Sequence, residues 1–137
     1  MRPMIQDRRG IATLEMALLA PFLMLLLLAA FELGSAIEQS LRLETAARAG
    51  ALHAAALPTD MAGIEATVRA ALDGWTNVTV TPPALLCECP GSGTIECGGT
   101  CASAIERFVT IQATRPFSGV LLTNFPTLTG HVVQRIQ

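Results

Sequence analysis

The sequence predicts an α+β protein: a long N-terminal, membrane-crossing helix, followed by a small head with one further helix and a three-stranded antiparallel sheet. Three observations lead there. The apolar excess is concentrated in the first forty of the 137 residues. A helical spacing of apolar residues then persists as far as Pro58, and beyond Gly74 the period changes to two. The composition agrees, with 51% hydrophobic and 15% charged residues and a mean hydropathy of +0.49, against about 25% charged in ordinary soluble domains. The net charge is −2, and the nine basic residues are all Arg and scattered, so the basic stripe of a nucleic-acid binder is missing. Intrinsic disorder needs low hydrophobicity and high charge. A chain of this length also has no room for a large enzyme core.

The chain divides into a basic leader, 1–10, a long helix, 11–57, and a head, 58–137. Ile11 to Phe31 is broken only by Glu15. A membrane span needs about 20 residues at 1.5 Å each. Leu, Ile and Phe each favour insertion by about 0.3–0.6 kcal/mol, whereas a central acidic residue costs roughly 2.5–3.5. Seven Leu and two Phe between Met16 and Phe31 therefore outweigh Glu15, and residues 11–31 span the bilayer. Arg2, Arg8 and Arg9 precede the span, and the next Arg is Arg42. The positive-inside rule keeps the first ten residues cytoplasmic and exports the remainder.

Glu15 is the residue to explain, because an ionisable group within an apolar span is a functional candidate by default. If the chain is cut after Gly10, Ile11 carries a new N-terminal ammonium and Glu15 becomes the fifth residue. Its carboxylate then pairs with the N-terminal amine of a neighbouring subunit, which hides both charges from lipid and sets an axial register. A general secretory signal cut near Gly34-Ser35-Ala36 is the competing processing route. The 16-residue uninterrupted core is long for such a signal, and the helix continues past that point.

Pro21 removes a backbone donor inside the span and is expected to kink it, which membrane helices tolerate. Beyond Phe31, Leu33, Ile37, Leu41, Ala47, Ala51 and Ala55 recur near one face, with Glu38–Arg42 and Glu44–Arg48 spaced for i,i+4 pairs. A second helix is predicted over Asp60–Asp73 with Thr59 as its N-cap, from Met61, Ile64, Val68 and Leu72. Strands are predicted at Asn77–Thr81, stopping at Pro82-Pro83, at Phe108–Thr114, and within Leu128–Gln137. A core this small calls for reinforcement.

Cys87, Cys89, Cys97 and Cys101 fall in a Pro/Gly/Ser-rich loop between the first two strands. Their C-x-C-x7-C-x3-C spacing lacks paired zinc knuckles and has no nearby His, so no metal is assigned. An exported head favours disulfides. Cys87 and Cys89 are too close to bridge each other, which leaves nested 87–101/89–97 or crossed 87–97/89–101, and a hairpin favours nesting. His53 and His131 have no acidic partner at useful spacing and read as surface or packing residues. Gly91-Ser92-Gly93 and Gly98-Gly99 read as turns. No catalytic set and no cofactor site emerge.

Arg8-Arg9-Gly10, four residues, then Glu15 and an apolar helix resembles the signal of type IV prepilins and pseudopilins. The run from Arg8 to Leu23, with Phe31-Glu32-Leu33-Gly34, more narrowly resembles TadE-like proteins, minor pilins or pseudopilins of the tight-adherence (Tad/Flp, type IVc) pilus system. Met16 departs from the Phe that many members carry there. Ala46-Ala47-Arg48-Ala49-Gly50-Ala51 resembles another stretch of the family, without its Glu. The C-x-C followed by a Gly-rich turn, more Cys and a Val/Thr strand resembles its head.

The resemblance implies cleavage between Gly10 and Ile11 by a prepilin peptidase, whose pocket admits only Gly before the cut. It also implies incorporation through the helix into a pilus or its initiation or tip complex, in support of assembly and adhesion. The implied partners are that peptidase, other pilins and pseudopilins of the same pilus, the inner-membrane assembly platform and membrane lipid, with no nucleic acid. Before assembly the chain is expected to be a single-pass inner-membrane protein, N-in and C-out, with its head facing the periplasm. The alternatives are an uncleaved membrane scaffold of an envelope secretion complex and a secreted disulfide-stapled binding domain.

Overall fold

The computed structural model describes the backbone of residues 9–123 and 126–136, with side chains from residue 13 onward. The leader 1–10 therefore lies outside the described residues, apart from its last two backbone positions. Helix α1 (Arg9–Ala56) runs for 48 residues and passes through Pro21 without interruption. At 1.5 Å per residue it is roughly 72 Å long. Helix α2 (Met61–Ala71) folds back beside it. Its N-cap is Asp60, one residue later than predicted: the carboxylate accepts from Gly63 N at 2.9 Å, satisfying a donor that the first helical turn leaves orphaned.

The head carries a four-stranded antiparallel sheet, not three strands, in the order β2-β1-β3-β4. The strands are β1 (Thr79–Cys89), β2 (Gly93–Ile95), β3 (Glu106–Arg115) and β4 (Leu128–Ile136). The additional strand has a local cause. Pro82-Pro83 do not stop β1. Its pairing with β3 shifts register between Thr81 and Ala84, so the two residues that lack an N–H sit at an irregularity where the ladder is already broken. β1 thus continues to Cys89 and turns through Pro90-Gly91. Ser92 N donates to Cys89 O at 3.0 Å and Gly91 has φ +83°, as a turn with Pro then Gly at its centre requires. Gly93–Ile95 then pairs back on β1.

This hairpin also decides the disulfides. They are crossed, Cys87–Cys97 and Cys89–Cys101, with Cα separations of 5.1 and 5.8 Å, which overturns the preference for nesting. Because Cys89 stands opposite Gly93 and Cys87 opposite Ile95, the returning strand carries Cys97 away from Cys89, towards Cys87. Gly99 N then donates to Glu96 O in a second turn, and Cys101 comes back to Cys89.

One face of the sheet packs on the helices through Val80, Val109, Ile111, Ala113, Leu128 and Ile136. The facing side of α1 consists of small residues: Ala36, Ala46, Ala47, Ala51 and Ala54 are buried, with Leu43 the one large member. Helix and sheet therefore approach closely. A Cβ built on Gly50 would lie 2.5 Å from Val68 Cγ2 of α2, and one built on Gly130 would run into the backbone of Leu43 and Glu44. The predicted face of Leu33, Ile37, Leu41, Ala47, Ala51 and Ala55 is divided: Ala47 and Ala51 are buried in the core, whereas Ala55 is exposed and Leu33, Ile37 and Leu41 are 51%, 53% and 58% exposed. Of the two predicted ion pairs, Glu44–Arg48 forms at 2.5 Å. Arg42 turns away from Glu38, hydrogen-bonds Asp73 O at 3.3 Å and stacks over Trp75, as does Arg115.

Two predictions follow from this packing. Gly130→Val overpacks the α1–β4 contact and should destabilise the head by about 3 kcal/mol, read by denaturant unfolding in mild detergent. Cys87→Ala/Cys97→Ala should keep the other bridge intact and cost about 2–4 kcal/mol, whereas Cys87→Ala/Cys101→Ala should strand Cys89 and Cys97. Thiol titration of the oxidised variants separates the crossed pairing from the nested one.

Candidate functional site

The candidate site is the apolar half of α1 and the joint where it meets the head. From Thr13 the helix is apolar and bare: Leu14, Leu18, Phe22, Met24, Leu26, Leu27 and Phe31 are all more than half exposed. Its apolar window contains no residue buried against the rest of the chain. A surface of this kind is stable in hydrocarbon and not in water. The predicted cleavage position lies in the first turn of α1, and the backbone of Gly10 and Ile11 is helical. Their flanking Arg2 and Arg8 fall outside the described residues. Glu15 is exposed on the helix surface one turn further on, and Pro21 lies in the same exposed stretch.

The joint is made by Glu32. This residue stands directly after the predicted span, yet it is only 5% exposed. Its carboxylate accepts hydrogen bonds from three consecutive backbone amides of the loop between β3 and β4. Leu121 N donates to both oxygens, at 2.9 and 3.2 Å, Leu122 N donates to Oε2 at 3.0 Å, and Val120 N also donates. Successive amides aimed at one point form an anion-binding nest, here filled by the chain's own side chain. A Cβ built on Gly119 would lie 2.6 Å from Glu32 Oε2, so the absence of a side chain there gives the carboxylate its room. Phe117 and Leu122 pack on the core at either end of the loop. The three amide bonds, Leu121 first, hold the Glu32 carboxyl below the ordinary value of 4.5, against the opposing effect of burial.

Sequence reasoning registered Glu32 only as part of a family-like tetrapeptide and as a charge following the span. An acidic residue at the apolar boundary needs donors, but nothing in the sequence marks which backbone amides supply them. Cys87 and Cys89 lie on β1 and Cys97 and Cys101 in the β2–β3 connection, and all four are disulfide-bonded, so they offer no thiolate to a metal. His53 bridges the two helices, with Nε2 3.2 Å from Asp60 Oδ2 and Nδ1 3.3 Å from Thr67 Oγ1. His131 is exposed on β4.

The depressed Glu32 carboxyl sets the sign of a pH dependence. A carboxylate whose folded-state pKa is lowered stabilises the fold fully above its unfolded value, and that contribution is lost as pH falls through the lowered one. Asp60, held below 3.8 chiefly by the Gly63 amide and then by His53, has the same sign. Stability should therefore be flat above pH ~5 and fall below pH ~4.5. Glu32→Gln should be less stable at pH 7 and lose less on acidification, as measured by thermal unfolding at pH 7 and pH 3.

Comparison with known proteins bears on the helix. No curated protein and no solved structure matches the chain. One protein-family model does match, described as TadE-like protein, over residues 10–52. That stretch holds the Gly10 position, Glu15, the bare apolar segment, Glu32 and most of the small-residue face that carries the head. A TadE-like domain on a long apolar helix fits a protein associated with the Tad pilus. Over residues 10–52, then, the chain is similar to the TadE-like family.

Proposed function

We propose that the chain is a minor pilin or pseudopilin of a tight-adherence pilus. It is inserted N-in through residues 11–31, cut between Gly10 and Ile11 by a prepilin peptidase, and taken into the pilus or its initiation or tip complex by its N-terminal helix. The observation that carries this reading is the distribution of exposure along α1. The apolar surface does not end with the span but continues through Leu33, Ile37 and Leu41, which the head leaves more than half exposed. A simple anchor has no use for an apolar stripe beyond the bilayer. A subunit that packs helix against helix does, because the same surface exchanges lipid for neighbouring pilins when it leaves the membrane.

Within that packing Glu15 has a specific task. A carboxylate in an apolar environment requires a partner, and the new ammonium of Ile11 on an adjacent subunit supplies one of opposite charge. The head, stapled by its disulfides, is then carried outside the bilayer, where it supports assembly and adhesion. Secretion by a cut near Ala36 is disfavoured by the structure, since Glu32 and Ala36 are both buried in the head's packing and such a cut would strip Glu32 from the nest and expose the core there.

N-terminal sequencing and intact mass of the protein from sheared filaments and from membranes test the proposal. A chain that starts at Ile11 is the expected result, and one that starts at Met1 in both fractions sinks it. Glu15→Leu should leave the protein processed and membrane-inserted but deplete it from the filament fraction by about tenfold, a loss of roughly 1.4 kcal/mol in assembly.

A further inference from the structure

The β3–β4 loop has a property that the pilin reading does not use. It is anchored at Phe117 and Leu122 in the core and at three amides on Glu32, yet between those anchors it presents Val120 at 75% exposure and Leu121 at 43%. Its height on the helix is defined. The concavity beside it is lined by Ser118, Gly119 and Val120 from the loop and by Leu28, Phe31 and Glu32 from α1. Leu28 lies one turn inside the apolar segment, about 6 Å below Glu32 along the axis. The 21 residues from 11 to 31 cover roughly 31 Å as helix, close to the thickness of a hydrocarbon core. The outer edge of that core thus falls at the level of the loop.

We infer that residues 117–122 form a foot that rests in the bilayer interface, with Val120 and Leu121 entering the acyl boundary beside Phe31 and Glu32 acting as the positioning residue that holds them there. This inference rests on the membrane-anchored reading of α1. Position decides the occupant: two exposed apolar side chains are held at the depth where the helix itself leaves lipid. The nest lowers the cost of bringing backbone amides to the acyl boundary, where water is scarce, because Glu32 satisfies three in succession. The foot gives the head a second point of contact with the membrane, so that the helix does not turn freely about its own axis.

Depth-dependent fluorescence quenching tests this on the full chain in phosphatidylcholine vesicles. Trp75 is the single tryptophan, so Trp75→Phe supplies a silent background for Val120→Trp or, separately, Leu25→Trp. Lipids brominated near the headgroup should quench Val120→Trp by ~2-fold or more, as expected for an interfacial side chain, and lipids brominated deep in the chain should quench Leu25→Trp. Adding Glu32→Ala should remove most of the quenching at Val120→Trp and leave that at Leu25→Trp unchanged. Quenching at Leu25→Trp without quenching at Val120→Trp overturns the foot and leaves the anchor standing. An emission maximum at Val120→Trp that follows protein density instead of bromolipid also overturns it, assigning the surface to another subunit. Absence of quenching at both positions overturns the membrane reading itself. Quenching at Val120→Trp that survives Glu32→Ala removes Glu32 as the positioning residue.

Discussion

Everything in the head is built against one side of one helix, and the closeness of that approach is the constraint on which the rest depends. α1 belongs to the head over its outer half and to the apolar segment over its inner half, with no break between them. A helix that serves both has to present a packing face without spending its whole circumference on it. Small residues meet that requirement. Ala46, Ala47, Gly50, Ala51 and Ala54 let α2 and the sheet come close enough for Ile64, Val68, Val109 and Ile111 to be sealed. The large apolar residues Leu33, Ile37 and Leu41 remain more than half exposed. A Leu-rich core face would hold the sheet at the ordinary distance, where Gly130 could not lie on the backbone of Leu43.

The two ends of this contact are finished by different chemistry. At the far end the sheet runs into an unsupported hairpin whose returning strand is only Gly93–Ile95, too short to hold by pairing alone, and two disulfides close it. At the near end the β3–β4 connection has neither strand pairing nor a bridge, and its amides are collected by Glu32. One fastening is covalent and indifferent to pH. The other is electrostatic and fails when the carboxyl is protonated. The fastening next to the apolar segment is therefore the one that conditions can loosen.

Much of this was legible in the sequence where period and punctuation act locally. The long helix, the second helix and the strands around Val109 and Val132 follow from spacing alone, because each buries one face. The failures were of two kinds. Pro82-Pro83 read as a stop, since a proline pair normally ends a ladder, and only the register shift against β3 shows how β1 continues past it. That mistake hid β2 and placed the cysteines in a loop, from which the crossed pairing could not be derived. The buried face of α1 was legible in part: Ala47 and Ala51 fall on the predicted stripe and are buried, whereas Leu33, Ile37 and Leu41 of the same stripe stay more than half exposed. Glu32 escaped for a third reason. Its partners are backbone amides 88–90 residues away, and amides carry no mark in a sequence.

Glu15 and Glu32 bracket the apolar segment, and their contrast bears on what the chain is for. Both face the same electrostatic demand, since a carboxylate at an apolar boundary has to be solvated, neutralised or supplied with donors. Glu32 is supplied from within its own chain and is buried as a result. Glu15 is exposed on a helix surface with nothing of the head near it, so whatever satisfies it comes from water, lipid headgroups or another molecule. A segment of protein that needed only to sit in a membrane would not require an acid a turn inside its span. The residue that completes the fold and the residue that looks outward are thus the same chemical group, about 26 Å apart along the helix. The difference in their surroundings divides α1 into an end that has finished its contacts and an end that has not.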